Sequence, residues 1–134
     1  MNDNYFGVEI PFARHCGIIP VSHEPGHTRL EIDLADFHRN NLGTAHGGAI
    51  LTLLDISLGS AARTYAGSPV MTINMQVAFL SPGRGKLIGE GHVLRPGRSL
   101  IFCEGEIRTE GGDLVAKASG LFKVAKKESS GTKD

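Results

Sequence analysis

Residues 46–65 read HGGAILTLLDISLGSAARTY and form the one long helical candidate in a chain of 134 residues. Ala49, Ile50, Leu51, Leu53, Leu54, Ile56, Leu58, Ala61 and Ala62 surround nearly the whole circumference of a 3.6-residue helix. A helix that is apolar all round is expected to be buried. Gly67 followed by Pro69 supplies its stop signal. On either side of this helix the pattern changes to strands. Ile18–Ser22 and Thr28–Leu34 come before it, separated by the turn Glu24-Pro25-Gly26. In the second of these, Thr28, Leu30, Ile32 and Leu34 alternate with Arg29, Glu31 and Asp33, as in a half-buried antiparallel strand. Val70–Leu80, Lys86–Arg95, Ser99–Thr109 and Leu114–Val124 follow, joined by Ser81-Pro82-Gly83, Pro96-Gly97 and Gly111-Gly112. Along Val70–Leu80, Met71, Ile73, Met75, Val77 and Phe79 fall on one face and Thr72, Asn74 and Gln76 on the other. Asn4–His15 reads as a short helix weakened by Pro11, and Asp36–Ala45 as a polar loop. Two strands, one buried helix and four strands imply an α+β fold, an antiparallel β-sheet wrapped around one long buried α-helix. One domain over residues 1–125 with a polar tail over 126–134 is expected.

Composition narrows the function. Lys plus Arg and Asp plus Glu each number 14, so the formal charge is zero. That balance argues against nucleic acid as a partner, because phosphate binding needs a cationic surface. An apolar share of 40% excludes a disordered chain. Glycine, at 18 residues, is about twice its usual share, and is partly located at the helix start and the strand turns. The apolar stretch Ala49–Ala62 is interrupted by Asp55 and too short to span a bilayer. The opening residues, Met1 to Phe6, have neither a basic nor an apolar region, so no secretory leader and a reduced, cytoplasmic setting are expected. Cys16 and Cys103 have no metal-site spacing. Cys103 shares a strand face with Ile101, Gly105 and Ile107 and reads as a core thiol. His23 and His27 flank a turn, while His15, His38 and His92 lack ligand partners at useful spacing, so no metal is expected.

Two features of the helix stand out. Asp55 lies between Leu54 and Ile56, and an acid is rarely buried without a partner. It reads either as the partner of an arginine such as Arg63, or as a carboxylate in a dry cleft whose pKa burial raises toward that of a working base. Gly47 and Gly48 leave the first helical N–H groups bare, which suits an anion or a developing oxyanion, or else close packing of helix on sheet. His46 and Asp55 are nine residues apart. On one helix that is about 180° of turn and about 13 Å of rise. If both act on one bond, the site is shared between two subunits.

These residues resemble a known family. Asn40 to Gly48, reading NNLGTAHGG, with Asp55 nine residues after the His, is similar to the signature of the PaaI-type hotdog acyl-CoA thioesterases. Met75 to Pro82 and Arg95 to Ser99 are similar to further segments of that family, and the likeness runs from about Phe12 to Val124. The resemblance implies a hotdog fold, a homodimer or homotetramer with sites at the subunit interface, and hydrolysis of aryl- or fatty acyl-CoA to acid and CoA. It implies no metal and no cofactor beyond the coenzyme A of the substrate. It assigns Asp55 as general base or nucleophile, and the Gly47 N–H as the donor to the thioester carbonyl. Asn40 is matched to the position beside the carbonyl and water, His46 to the residue orienting that region, and Thr72 to the residue positioning the acid or water. Gly48, Gly97, Arg98 and Ser99 are matched to substrate binding. Asn74, where relatives often carry Asp, is grouped with them without a role. Arg84, Lys86, Arg95, Arg98, Lys126 and Lys127 are candidates for a cationic rim facing the CoA phosphates. Two alternatives stand beside hydrolysis: a non-catalytic acyl-CoA-binding protein, and a hotdog enoyl-CoA hydratase or dehydratase, which the Asn40-to-Asp55 pattern disfavours.

Overall fold

The computed structural model describes residues 4–125. In chain order the elements are α1 (Pro11–His15), β1 (Ile18–Glu24), β2 (His27–Asp33), a 3-10 turn (Asp36–His38), α2 (Gly47–Ala66), β3 (Val70–Phe79), β4 (Lys86–Arg95), β5 (Leu100–Thr109) and β6 (Leu114–Val124). The strands form one antiparallel sheet in the order β1-β2-β4-β5-β6-β3. α2 packs on one face of the sheet, against β4, β5 and β2 above all. Leu53, Leu54 and Leu58 of the helix bury themselves with Leu30 and Ile32 of β2, Leu87 of β4, and Ile101 and Ile107 of β5. This is the expected hotdog architecture. At its end Gly67 takes φ 66°, and its N–H donates to the Arg63 carbonyl at 2.8 Å. A left-handed residue is the ordinary way to close a helix, and glycine adopts it without strain.

The helix lies unusually close to the sheet, and glycine allows it. Gly91 of β4 is paired with Gly105 of β5, and Gly105 with Ala118 of β6. A Cβ on Gly91 would lie 2.4 Å from the Ser57 carbonyl oxygen, and one on Gly105 would lie 2.6 Å from Leu58 Cδ1. Part of the glycine excess is therefore in mid-strand, beneath α2, and not only at turns and the helix start. A buried hydroxyl ties the same layers together: Thr28 Oγ1 donates to the Ser57 carbonyl at 2.7 Å, beside Ser60 Oγ, which donates to the Ile56 carbonyl at 2.6 Å.

Four expectations need correction. The N-terminal helix covers only Pro11–His15, because proline suits the first helical position and residues 6 and 7 take left-handed φ values of 58° and 101°. The loop before α2 contains a 3-10 turn and an Arg39–Ala45 bridge. α2 is not covered all round: Leu51 is exposed, while Asp55, Ile56 and Gly59 are half-buried. β3 does not keep its alternation. Its register with β6 slips between Thr72 and Asn74, leaving Ile73 as a bulge. Val70 and Thr72 turn toward the helix before the bulge; Met75 and Val77 do so after it. A bulge is one extra residue, and it reverses the facing of every residue beyond it.

Candidate active site

Asp55 projects from the middle of α2 toward the start of β3. Thr72 Oγ1 donates to Asp55 Oδ1 at 2.7 Å. The bond exists because the bulge at Ile73 puts Thr72 on the helix side of its strand. One carboxylate oxygen is thereby held, and the other is left to a substrate or water. Arg63 does not pair with Asp55. Its guanidinium donates instead to the carbonyls of Tyr5 at 2.6 Å and Phe6 at 3.0 Å, and half-burial lowers its pKa by desolvation. The ion-pair explanation of Asp55 is set aside on that geometry.

Beside Asp55 is a cavity of about 330 Å³, lined among others by Val8, Ile10, Ile56, Val70 and Phe122. It is a half-open, mainly apolar cleft whose polar side is formed by Asp55, Thr72, Ser60 and Arg63, an arrangement that suits an apolar group with a polar reacting end. Asp55 is half-buried in the single chain rather than sealed in a dry cleft.

The residues from the other end of the motif gather elsewhere. His46 is the N-cap of α2, and its Nδ1 accepts from the Gly48 N–H at 2.8 Å, so a neutral ring carries its proton on Nε2. A Cβ on Gly48 would lie 3.1 Å from that Nδ1, which accounts for this glycine. Gly47 has a different setting. A Cβ there would meet only the Phe79 ring, at 3.8 Å, so packing within the chain does not require glycine. Asn40 organises its own loop: Oδ1 accepts from the N–H groups of Leu42 at 2.9 Å and Thr44 at 3.1 Å. Its Nδ2 donates to Thr44 Oγ1 at 3.1 Å and reaches the Ala45 carbonyl only at 3.5 Å, a weak contact.

His38 pins this loop from below, a role its sequence position did not suggest. Buried, it accepts from the Ala35 N–H through Nδ1 at 2.9 Å, and its Nε2 lies 2.6 Å from the Cys16 carbonyl. Its own carbonyl receives the His46 N–H at 2.8 Å, so the helix cap rests on it.

Gly97, Arg98 and Ser99 form the exposed turn between β4 and β5. A Cβ on Gly97 would lie 2.2 Å from the Leu100 carbonyl oxygen. Through the pairings of Ile101 with Phe122 and Phe122 with Thr72, this turn lies at the same end of the sheet as Thr72. Asn74 lies just past the bulge and is exposed. One chain thus brings Asp55, Thr72 and the 97–99 turn to one end, and Asn40, His46 and Gly47 to the other. The cavity holding Asp55 includes neither His46 nor Gly47. Of the cationic candidates, Lys86 is taken by Glu31 at 3.3 Å. Arg84, Arg95 and Arg98 are exposed, and Lys126 and Lys127 lie outside the described residues. Cys103 is buried in the core, and burial pushes its thiol up to about 12. Among the described residues no helix is long and apolar enough to cross a membrane.

Comparison with known proteins points the same way. A family model described as the thioesterase superfamily matches residues 42–116. Acyl-coenzyme A thioesterase 13 of Homo sapiens is 32% identical over 111 residues, covering 79% of each chain. A Streptococcus mutans protein solved bound to acetyl-CoA superposes with a TM-score of 0.77 at 27% identity, covering 84% of this chain and 91% of that one. The E. coli PaaI protein of the phenylacetic acid degradation operon has this fold at a TM-score of 0.83 and 20% identity, covering 87% of this chain and 86% of that one.

Proposed function

The chain belongs to the thioesterase superfamily and is an acyl-CoA thioesterase; from that premise we propose that Asp55 drives hydrolysis of an acyl-CoA at a site completed by a second subunit. The observation that carries the assignment is the Thr72–Asp55 hydrogen bond on the wall of a mainly apolar cavity. Thr72 holds Oδ1, so Oδ2 does the chemistry. As a base it takes a proton from water while the water oxygen attacks the thioester carbon; as a nucleophile it attacks that carbon itself and water then cleaves the anhydride. In both routes the C–S bond breaks, CoA thiolate leaves and is protonated, and the carbonyl oxygen carries negative charge in passing. The Gly47 N–H, at the positive end of α2, is the donor proposed for that oxygen. His46 holds the helix start in place for it, and the second Nδ2 hydrogen of Asn40 is offered to carbonyl or water. Gly48, Asn74, Gly97, Arg98 and Ser99 are proposed to contact substrate, with Arg98 toward the CoA phosphates. The reaction needs no metal and no further cofactor.

Two subunits are invoked because one chain keeps Gly47 and Asp55 apart. β3 is a sheet edge with Met71 at 55%, Ile73 at 51% and Phe79 at 53% exposure, a surface that a second β3 would cover. Antiparallel pairing about the middle of β3 would set Thr72 across from residues 77 and 78. Phe79 is next to them, with its ring against Gly47. Asp55 would then face Gly47 of the partner subunit, in a dimer or a tetramer built from it.

The test is thiol release from aryl- and fatty acyl-CoAs by wild type and Asp55→Ala, with light scattering on both. The expected result is a dimer or larger assembly whose turnover falls at least about 100-fold in the variant. Tight acyl-CoA binding with no wild-type turnover would favour a binding protein instead. Unchanged turnover in the variant would remove Asp55 from the mechanism, and an active monomer would refute the shared site.

A further inference from the structure

One wall of the cavity beside Asp55 comes from neither the sheet nor the long helix. Val8 and Ile10, which precede α1, supply it. Hydrogen bonds from distant parts of the chain hold this stretch. The Tyr5 ring is buried and its hydroxyl donates to the Ile18 carbonyl at 2.7 Å. Arg63 grips the carbonyls of Tyr5 and Phe6 at 2.6 and 3.0 Å. No carboxylate within ion-pair distance of Arg63 is found among the described residues. A charged group half out of water is costly unless its hydrogen bonds are met, and here backbone carbonyls of the segment meet them. The left-handed pair Phe6 and Gly7 turns the chain directly after these anchors, and Val8 and Ile10 follow on the cavity wall.

We propose that residues 5–10 are a strap that selects the acyl group: Val8 and Ile10 close the acyl pocket, and Arg63 is the positioning residue that fixes them there. This rests on the thioesterase reading of the same site. The pocket's size then names the substrate class. The part of the pocket that one chain supplies, about 330 Å³, is at the small end for ligand sites. Taking a methylene as roughly the ~30 Å³ of a liquid water, it holds an acyl chain on the order of ten carbons, or a single aromatic ring. Ile56, Val70 and Phe122 supply further apolar lining, while Asp55, Thr72, Ser60 and Arg63 itself form the polar side of the cavity. A longer fatty acyl group has to pass Val8 and Ile10 to leave the cavity, and this is where the strap discriminates. Gly59 also lines the cavity; a Cβ there would meet only the Phe122 ring, at 3.4 Å, so alanine at this position takes space from the pocket.

The experiment compares full-length wild type, Val8→Ala, Val8→Phe, Gly59→Ala, Arg63→Lys and Arg63→Met on straight-chain acyl-CoAs from butanoyl to hexadecanoyl. The readout is the ratio of kcat/KM for dodecanoyl-CoA to that for butanoyl-CoA, taken on one preparation so that partial unfolding cancels. Val8→Ala raises this ratio by about fourfold for each methylene newly admitted; Val8→Phe and Gly59→Ala lower it. Arg63→Met flattens the dependence on chain length, and Arg63→Lys restores part of it. If the wild type hydrolyses acyl-CoAs but all variants keep its chain-length profile, the strap is overturned and the enzyme assignment survives. If the wild type hydrolyses none, both fall together.

Discussion

Replacing Thr72 with valine removes one hydrogen-bond donor and keeps the shape of the side chain. The bond at stake is short, 2.7 Å from Thr72 Oγ1 to Asp55 Oδ1, and its acceptor is a carboxylate. Hydrogen bonds to charged groups contribute about 1.5–3 kcal/mol. Thr72 is exposed and Asp55 only half-buried in the chain, so the lower end applies. About 1.5 kcal/mol of lost orientation corresponds to a kcat lower by just over tenfold. Serine keeps the hydroxyl, and Thr72→Ser is expected to stay within about threefold of wild type by the same conversion. The assay is steady-state thiol release at saturating acyl-CoA, with a thermal melt of each variant alongside. Exposed substitutions cost within about 0.5 kcal/mol, so the melts should nearly coincide. A Thr72→Val enzyme with wild-type kcat would refute the positioning role. A Thr72→Ser enzyme as slow as the valine variant would show that the hydroxyl alone does not suffice and that the methyl group must hold it in place.

Two further outcomes test the architecture. Gly91→Ala would place a Cβ 2.4 Å from the Ser57 carbonyl oxygen and 2.9 Å from the Leu58 nitrogen, both backbone atoms that cannot step aside; overpacking of about 1–3 kcal/mol should lower Tm on the order of 10 °C, and an unchanged melt would mean that α2 sits farther from the sheet. Cys103, with its thiol held up to about 12 by burial, should resist a thiol reagent at pH 8, so that titration finds one reactive cysteine in the folded protein and two in denaturant. Its folded pKa exceeds the unfolded value of about 8.5, so the folded state keeps the proton longer. That contribution to stability is full below about pH 8.5 and is lost as pH rises toward 12. Unfolding free energies should therefore decline more steeply with pH in wild type than in Cys103→Ala, and parallel curves would contradict the assignment.

The elements were legible because their signals are local. β4 and β6 begin and end where alternation and the turn residues place them, and α2 runs from the bare glycines to its left-handed cap. The family signature by itself singles out Asp55, Asn40 and His46. What those residues touch was a different matter. Strict alternation put Thr72 on the face away from the core, and only the register of β3 against β6 turned it to Asp55. Arg63 looked like a partner for that acid, yet it binds carbonyls more than fifty residues earlier in the chain. His38 carried no motif, although it supports the loop that caps the helix.

Periodicity, turn chemistry and the family signature, all carried by neighbours in the chain, were enough to specify one helix, six strands and a family. The tertiary structure alone decided that four glycines, Gly89, Gly91, Gly105 and Gly120, lie where added side chains would crowd the helix or its packing, that β3 is left at an open edge, and that an N-terminal strap walls the cavity. Each of these depends on which segments distant in sequence come to share a surface. A bulge, a close approach or a hydrogen bond to a remote carbonyl leaves no period in the residues that make it.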